Sequence, residues 1–140
     1  MTNPLSHRAL PALAGLFLLA ACANPLPAGR QRDPLIDANV KMTRCLAESG
    51  QSEALVLRGA GGQGSVNALL NLLRFPRNAA VLVDGSDPGA VAAVVEAALR
   101  ALPAGAGGGE RWLCAVVARS DEVLLKPLAD KAGIRLLRLE

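Results

Sequence analysis

From Asp33 onward the apolar positions switch between two periods. Asp33-Pro34 forms a helix start, with Asp as N-cap and Pro at the first helical position. The spacing predicts a helix to about Glu48, with Leu35, Ile36, Val40, Cys45 and Leu46 broadly on one side and Asp37 and Lys41 paired four apart on another. Gly50 ends it. Ala54–Leu57 is a short apolar run bounded by Gly59, which predicts a buried strand. Ser65–Phe75 carries Val66, Leu69, Leu70 and Leu73 at helical spacing until Pro76. Ala79–Val83 reads as a second strand, closed by Asp84-Gly85. Asp87-Pro88 opens a helix to about Leu102, stopped by Pro103, and Pro103–Glu110 (PAGAGGGE) reads as a flexible loop. Arg111–Ala118 is the third strand. Ser120 or Asp121 then caps a helix reaching Ala132, Gly133 stops it, and Ile134–Leu139 is the last strand.

Strands that are apolar throughout and separated by helices require a sheet covered on both faces, and such sheets are mostly parallel. The predicted fold is therefore α/β: a small three-layer, mostly parallel four-stranded sheet, Rossmann-like or flavodoxin-like. Right-handed crossovers suggest the order 2-1-3-4, with the leading helix covering the remaining face. The helix from Asp87 to Leu102 adds one complication. Between Gly89 and Leu102 only Glu96 and Arg100 are charged, and the rest is Ala, Val and Leu all round. Such a helix is usually buried on more than one side, which points to a partner or a second copy of the chain. The alternative is that alanine, a good helix former, simply tolerates exposure.

Residues 1–33 have a different character. His7 and Arg8 precede an apolar run, Ala9–Ala20, which is too short to cross a bilayer as a helix. Small residues then lead into Cys22, the layout of a secretory signal. The last four residues, Leu19-Ala20-Ala21-Cys22, resemble the lipobox of bacterial lipoproteins: an aliphatic residue, two small residues and the cysteine to be lipidated. The resemblance covers only the first 22 residues and implies cleavage before Cys22, which then carries the acyl chains. Each buried methylene contributes roughly 0.8 kcal/mol, so several chains anchor stably where one would not. It further implies a membrane partner through the lipid anchor. Ala23 stands where the family's inner-membrane retention signal has Asp, so the expected site is the outer membrane, facing the periplasm. Residues 1–21 would then be the signal peptide, 22–33 a Pro-containing tether and 34–140 a single domain. Extended at about 3.1 Å per residue, the tether spans some 30 Å.

Export changes the reading of the cysteines. After Cys22 only Cys45 and Cys114 remain. An even pair in an oxidising compartment reads as one disulfide, with two buried free thiols as the alternative. No CxxC exists, so a catalytic dithiol is not indicated. The chain carries 15 Lys and Arg against 12 Asp and Glu, a net charge of +3. Its basic residues are scattered without aromatic interleaving, which argues against nucleic acid.

In doubly wound sheets ligands bind beyond the carboxyl ends of the strands, where strand order reverses. The loops meeting there are GAGGQGS, DGSD and RSD. Gly59-Ala60-Gly61-Gly62-Gln63-Gly64 is G-x-G-x-x-G between a predicted strand and a predicted helix, and Asp84 lies 20 residues past Gly64. This resembles the dinucleotide fingerprint of Rossmann proteins, in which glycines admit a pyrophosphate to a helix N-terminus and the acid takes a ribose hydroxyl. The bland alternative is a tight turn whose glycines satisfy geometry. An anion without a dinucleotide is a third option, with Ser65 and Arg119 as side-chain helpers. Asp84 and Asp87 offer a carboxylate pair or hard-cation ligands, although Asp87, Ser120 and Asp121 are more simply helix caps. His7, the only histidine, lies in the signal, which leaves none for triad chemistry or His-containing metal sites. No catalytic residue, metal or cofactor is assigned. The expected role is a non-catalytic accessory domain of the cell envelope, contacting another envelope protein or a second copy. The alternative is a small-ligand, anion or nucleotide-binding domain using residues 59–65.

Overall fold

Four parallel strands form the centre of the structure, a computed structural model that describes residues 34–74 and 78–139. The chain runs α1 (Pro34–Ser49), β1 (Ala54–Leu57), α2 (Gly62–Arg74), β2 (Ala80–Val83), α3 (Pro88–Ala101), β3 (Arg111–Val116), α4 (Arg119–Ala132) and β4 (Ile134–Leu139). The expected class, a small three-layer α/β fold of Rossmann-like or flavodoxin-like kind, is what forms. The expected signal, lipobox with Cys22, tether and Asp33 cap, and the expected helix stop at Pro76, lie outside the described residues. Among the described residues no helix is long and apolar enough to cross a membrane.

Strand order corrects the expectation. The strands lie 1-2-3-4 instead of 2-1-3-4, each pairing with its successor: Ala54 opposite Ala80, Val81 opposite Leu113, Arg111 opposite Ile134. Three successive right-handed crossovers in one direction place α2, α3 and α4 on the same face. The core divides accordingly. Val81, Val83, Leu113 and Ala115 pack with Leu69 of α2, Val95 of α3 and Leu125 of α4. The alternate residues Ala80, Leu82, Cys114 and Val116 pack with Cys45 of α1 on the opposite face. Every residue of β2 is buried, as a parallel strand between two layers requires.

This arrangement accounts for α3. It is the middle helix of the row, burying Val91, Ala92, Val94, Val95, Ala98 and Leu99, and its outward positions Ala93 and Ala97 are small. Its apolarity thus follows from neighbours on both flanks.

Among the described residues helix α1 lies alone on its face, and it is rotated from the expected orientation. Cys45 is fully buried and Met42 partly so, whereas Leu35, Ile36 and Val40 are 67%, 62% and 52% exposed. The Cys45–Cys114 disulfide fixes that rotation, since it turns the Cys45 side of the helix to the sheet. The two Sγ atoms are 2.08 Å apart and the Cα atoms 5.9 Å apart.

Helix starts also differ from expectation. Helix α2 begins at Gly62, three residues before Ser65. In α4 the N-cap is Ala118, with no side-chain cap bond, so Ser120 and Asp121 sit inside the first turn instead of capping it. Asp87 does cap α3: its Oδ1 accepts from the Gly89 N–H at 2.9 Å, with Pro88 at the first helical position. The loop after α3 is built, not slack. Backbone N–H groups of Gly105, Gly107 and Gly109 donate to the carbonyls of Lys131, Ala132 and Gly133 at 2.9, 2.7 and 2.7 Å. The last carbonyls of α4, otherwise orphaned at a helix end, are thereby satisfied. A Cβ on Gly107 would lie 2.5 Å from the Gly133 oxygen, so that approach needs glycine.

Candidate functional site

At the carboxyl end of the sheet, β1 runs through Gly59 (φ +63°) into the loop that opens α2. The ladder continues past both strands: the Ala60 N–H donates to the Asp84 carbonyl at 3.1 Å and the Asp84 N–H to the Leu57 carbonyl at 2.9 Å. The glycine loop and Asp84 are therefore neighbours, as the sequence suggested. Arg119 is exposed at the start of α4, beyond the end of β3, the strand after β2.

Within the loop Ser65 serves the backbone. Its Oγ accepts from the Gly61 N–H and donates to the Gly61 carbonyl, both at 2.9 Å. Gly59, Gly61 and Gly64 are exposed, and a Cβ at any of them would meet nothing within 4 Å. The third fingerprint glycine normally permits close helix–strand packing; Gly64 faces open space instead. The crowded glycine here is Gly85, whose Cβ would lie 3.0 Å from Val91 Cγ2 and 3.3 Å from the Ala60 nitrogen.

Asp84 is engaged from the other side of the sheet. Its Oδ1 accepts from Lys41 Nζ at 3.1 Å and from the Gly85 N–H at 2.8 Å. Lys41 also pairs with Asp37 Oδ2 at 2.9 Å, confirming the i,i+4 pair on α1 and adding a long-range partner. Burial by itself lowers the pKa of Lys41, but hydrogen bonds to Asp37 and Asp84 and their charges outweigh it and raise the value above 10.5. Asp84 thus faces α1 and Asp87 caps α3, so the two carboxylates do not form a pair. The described residues contain no group of three or more His, Cys, Asp or Glu placed to hold a metal.

With strand order 1-2-3-4 no reversal point exists at the carboxyl ends, so the rule that locates ligands in doubly wound sheets has nothing to act on. The marked concavity lies at the opposite, amino end: a groove of about 980 Å³ lined by Arg74, Asn78, Arg111, Trp112 and Arg135 among others. Sequence reasoning missed it. The available signal was Arg111 and Arg135, charges placed at the starts of two largely apolar parallel strands. Arg111 is buried, its Nη2 donates to the Leu72 carbonyl at the end of α2, and burial lowers its pKa while leaving the guanidinium charged. Arg135 lies over the Trp112 ring at 5.6 Å and its Nε donates to the Gly109 carbonyl at 2.8 Å. Compared with protein-family models, curated proteins and solved structures, the chain matches none.

Proposed function

We propose that this chain is a lipid-anchored domain of the bacterial cell envelope, a non-catalytic accessory that acts by contacting another envelope protein. The observation that carries the reading is the Cys45–Cys114 disulfide, which joins α1 to the central part of the sheet. Such bonds persist in oxidising compartments, which is where the Leu19–Cys22 lipobox would send the chain. The lipid on Cys22 would hold residues 34–140 at the membrane on a short tether. Three polar groups at the carboxyl end have structural tasks, which favours a non-catalytic role. Asp84 binds Lys41, Asp87 caps α3 and Ser65 binds the Gly61 backbone. The outward face of α1, with Leu35, Ile36 and Val40 exposed, provides apolar surface for a protein contact.

Fractionation of cells expressing the full chain, combined with thiol trapping, tests this. The wild type is expected in the membrane fraction with Cys45 and Cys114 oxidised, and Cys22→Ser in the soluble fraction or held as uncleaved precursor. A wild-type chain found in the cytosol with both thiols reduced contradicts the proposal.

A further inference from the structure

The groove at the amino end of the sheet gathers like charges. Arg74 comes from the last turn of α2, Arg111 from the start of β3 and Arg135 from the start of β4. Among the described residues lining it, Glu110 is the one acidic side chain. Three cations sharing a groove repel one another, and an anion between them would reverse the sign of that interaction. Two of the guanidiniums are held in place by the fold: Arg111 by the Leu72 carbonyl, Arg135 by the Gly109 carbonyl and the Trp112 ring. A guanidinium has five N–H donors, and the Gly109 bond uses one of those on Arg135. Fixed guanidiniums suit phosphate and carboxylate groups, which they meet with paired hydrogen bonds. Asn78 and Gln51 add neutral hydrogen-bonding groups, and the half-buried Trp112 supplies an apolar wall. The volume is in the range of small-molecule sites.

We infer that this groove binds a small molecule carrying more than one negative charge on phosphate or carboxylate groups, with Arg74, Arg111 and Arg135 as its recognition residues. This site is distinct from the glycine loop, which lies at the opposite ends of the strands. The inference does not depend on the lipid anchor.

The test is isothermal titration of the full-length, disulfide-bonded chain with inorganic pyrophosphate and, separately, citrate at low salt. Binding of at least one is expected. Arg74→Gln, at an exposed helix end, and Arg135→Gln should each weaken it roughly tenfold, the worth of a charge-assisted hydrogen bond. Arg119→Gln makes the same charge change at the far end of the sheet and should leave affinity within about twofold, because exposed charges that far apart are screened. Displacement of bound pyrophosphate by phosphatidylglycerol vesicles, but not by phosphatidylcholine vesicles, would identify a lipid headgroup as the source of the anion. Retention would identify a free one. Failure of both probes to bind overturns the inference, as does Arg119→Gln weakening binding as much as Arg74→Gln. If Arg135→Gln loosens the loop through Gly109, Arg74→Gln alone decides the matter.

Discussion

Cys45, in the fourth turn of α1, is bonded to Cys114 at the middle of β3, and both are fully buried. That bond crosses the layer between α1 and the sheet. It therefore decides which side of α1 is covered and leaves Leu35, Ile36 and Val40 outward. The pair closes a long loop, with a sequence separation of 69 between its members. Its removal should cost about 4 kcal/mol through the entropy returned to the unfolded chain. Urea unfolding of the full chain with and without reductant checks this. The midpoint should fall sharply on reduction, and Cys45→Ala/Cys114→Ala should be insensitive to reductant.

Lys41 should make stability depend on alkaline pH. Its folded pKa is raised above the ordinary 10.5, so its contribution is fully present below that value and disappears as pH rises through the folded pKa. Lys41→Met removes the cation between Asp37 and Asp84 and leaves two part-buried carboxylates facing each other. A loss of about 2 kcal/mol at pH 7 is expected, together with a flatter stability profile above pH ~10.5. Thermal melts across that range compare the two proteins.

The two glycine-rich stretches should respond oppositely to alanine. Gly107→Ala drives a methyl into the Gly133 carbonyl and should destabilise by about 2 kcal/mol. Gly64→Ala fills open space inside α2 and should stabilise by about 0.5–1 kcal/mol. Denaturant midpoints of the two variants test the assignment. A destabilised Gly64→Ala would mean that the loop is packed more closely than the structure shows.

Helix caps give a smaller contrast. Asp87→Ala removes an N-cap hydrogen bond and should cost about 1 kcal/mol. Ser120→Ala, within the first turn of α4, should change stability by less than about 0.5 kcal/mol. Chemical denaturation resolves the difference.

These contrasts show where the sequence was informative. Apolar runs such as Ala80–Val83 are buried on both sides, and that pattern made the α/β class legible. Strand order was not legible, because right-handed crossovers permit either direction of travel along the sheet. The rotation of α1 was misread for a related reason. Spacing groups Leu35, Ile36 and Val40 broadly with Cys45, but the bond to Cys114 turns the Cys45 side of the helix to the sheet and leaves those three outward. The loop at 103–110 looked slack because hydrogen bonds to the end of α4 leave no mark in composition. Gly-x-Gly-x-x-Gly matched as a pattern, but spacing cannot say whether a glycine faces a neighbour, as Gly85 does, or open space, as Gly64 does.

The anchor is the centre of the functional account, and the mass of the mature N-terminus tests it most directly. Full-length protein would be expressed in a bacterial host, extracted from membranes with detergent, digested with trypsin and analysed for its first peptide. The account predicts a peptide running from Cys22 to Arg30, with a diacylglyceryl group on the Cys22 sulfur and no peptide from residues 1–21. A peptide that begins elsewhere, or an unmodified Cys22, would contradict it.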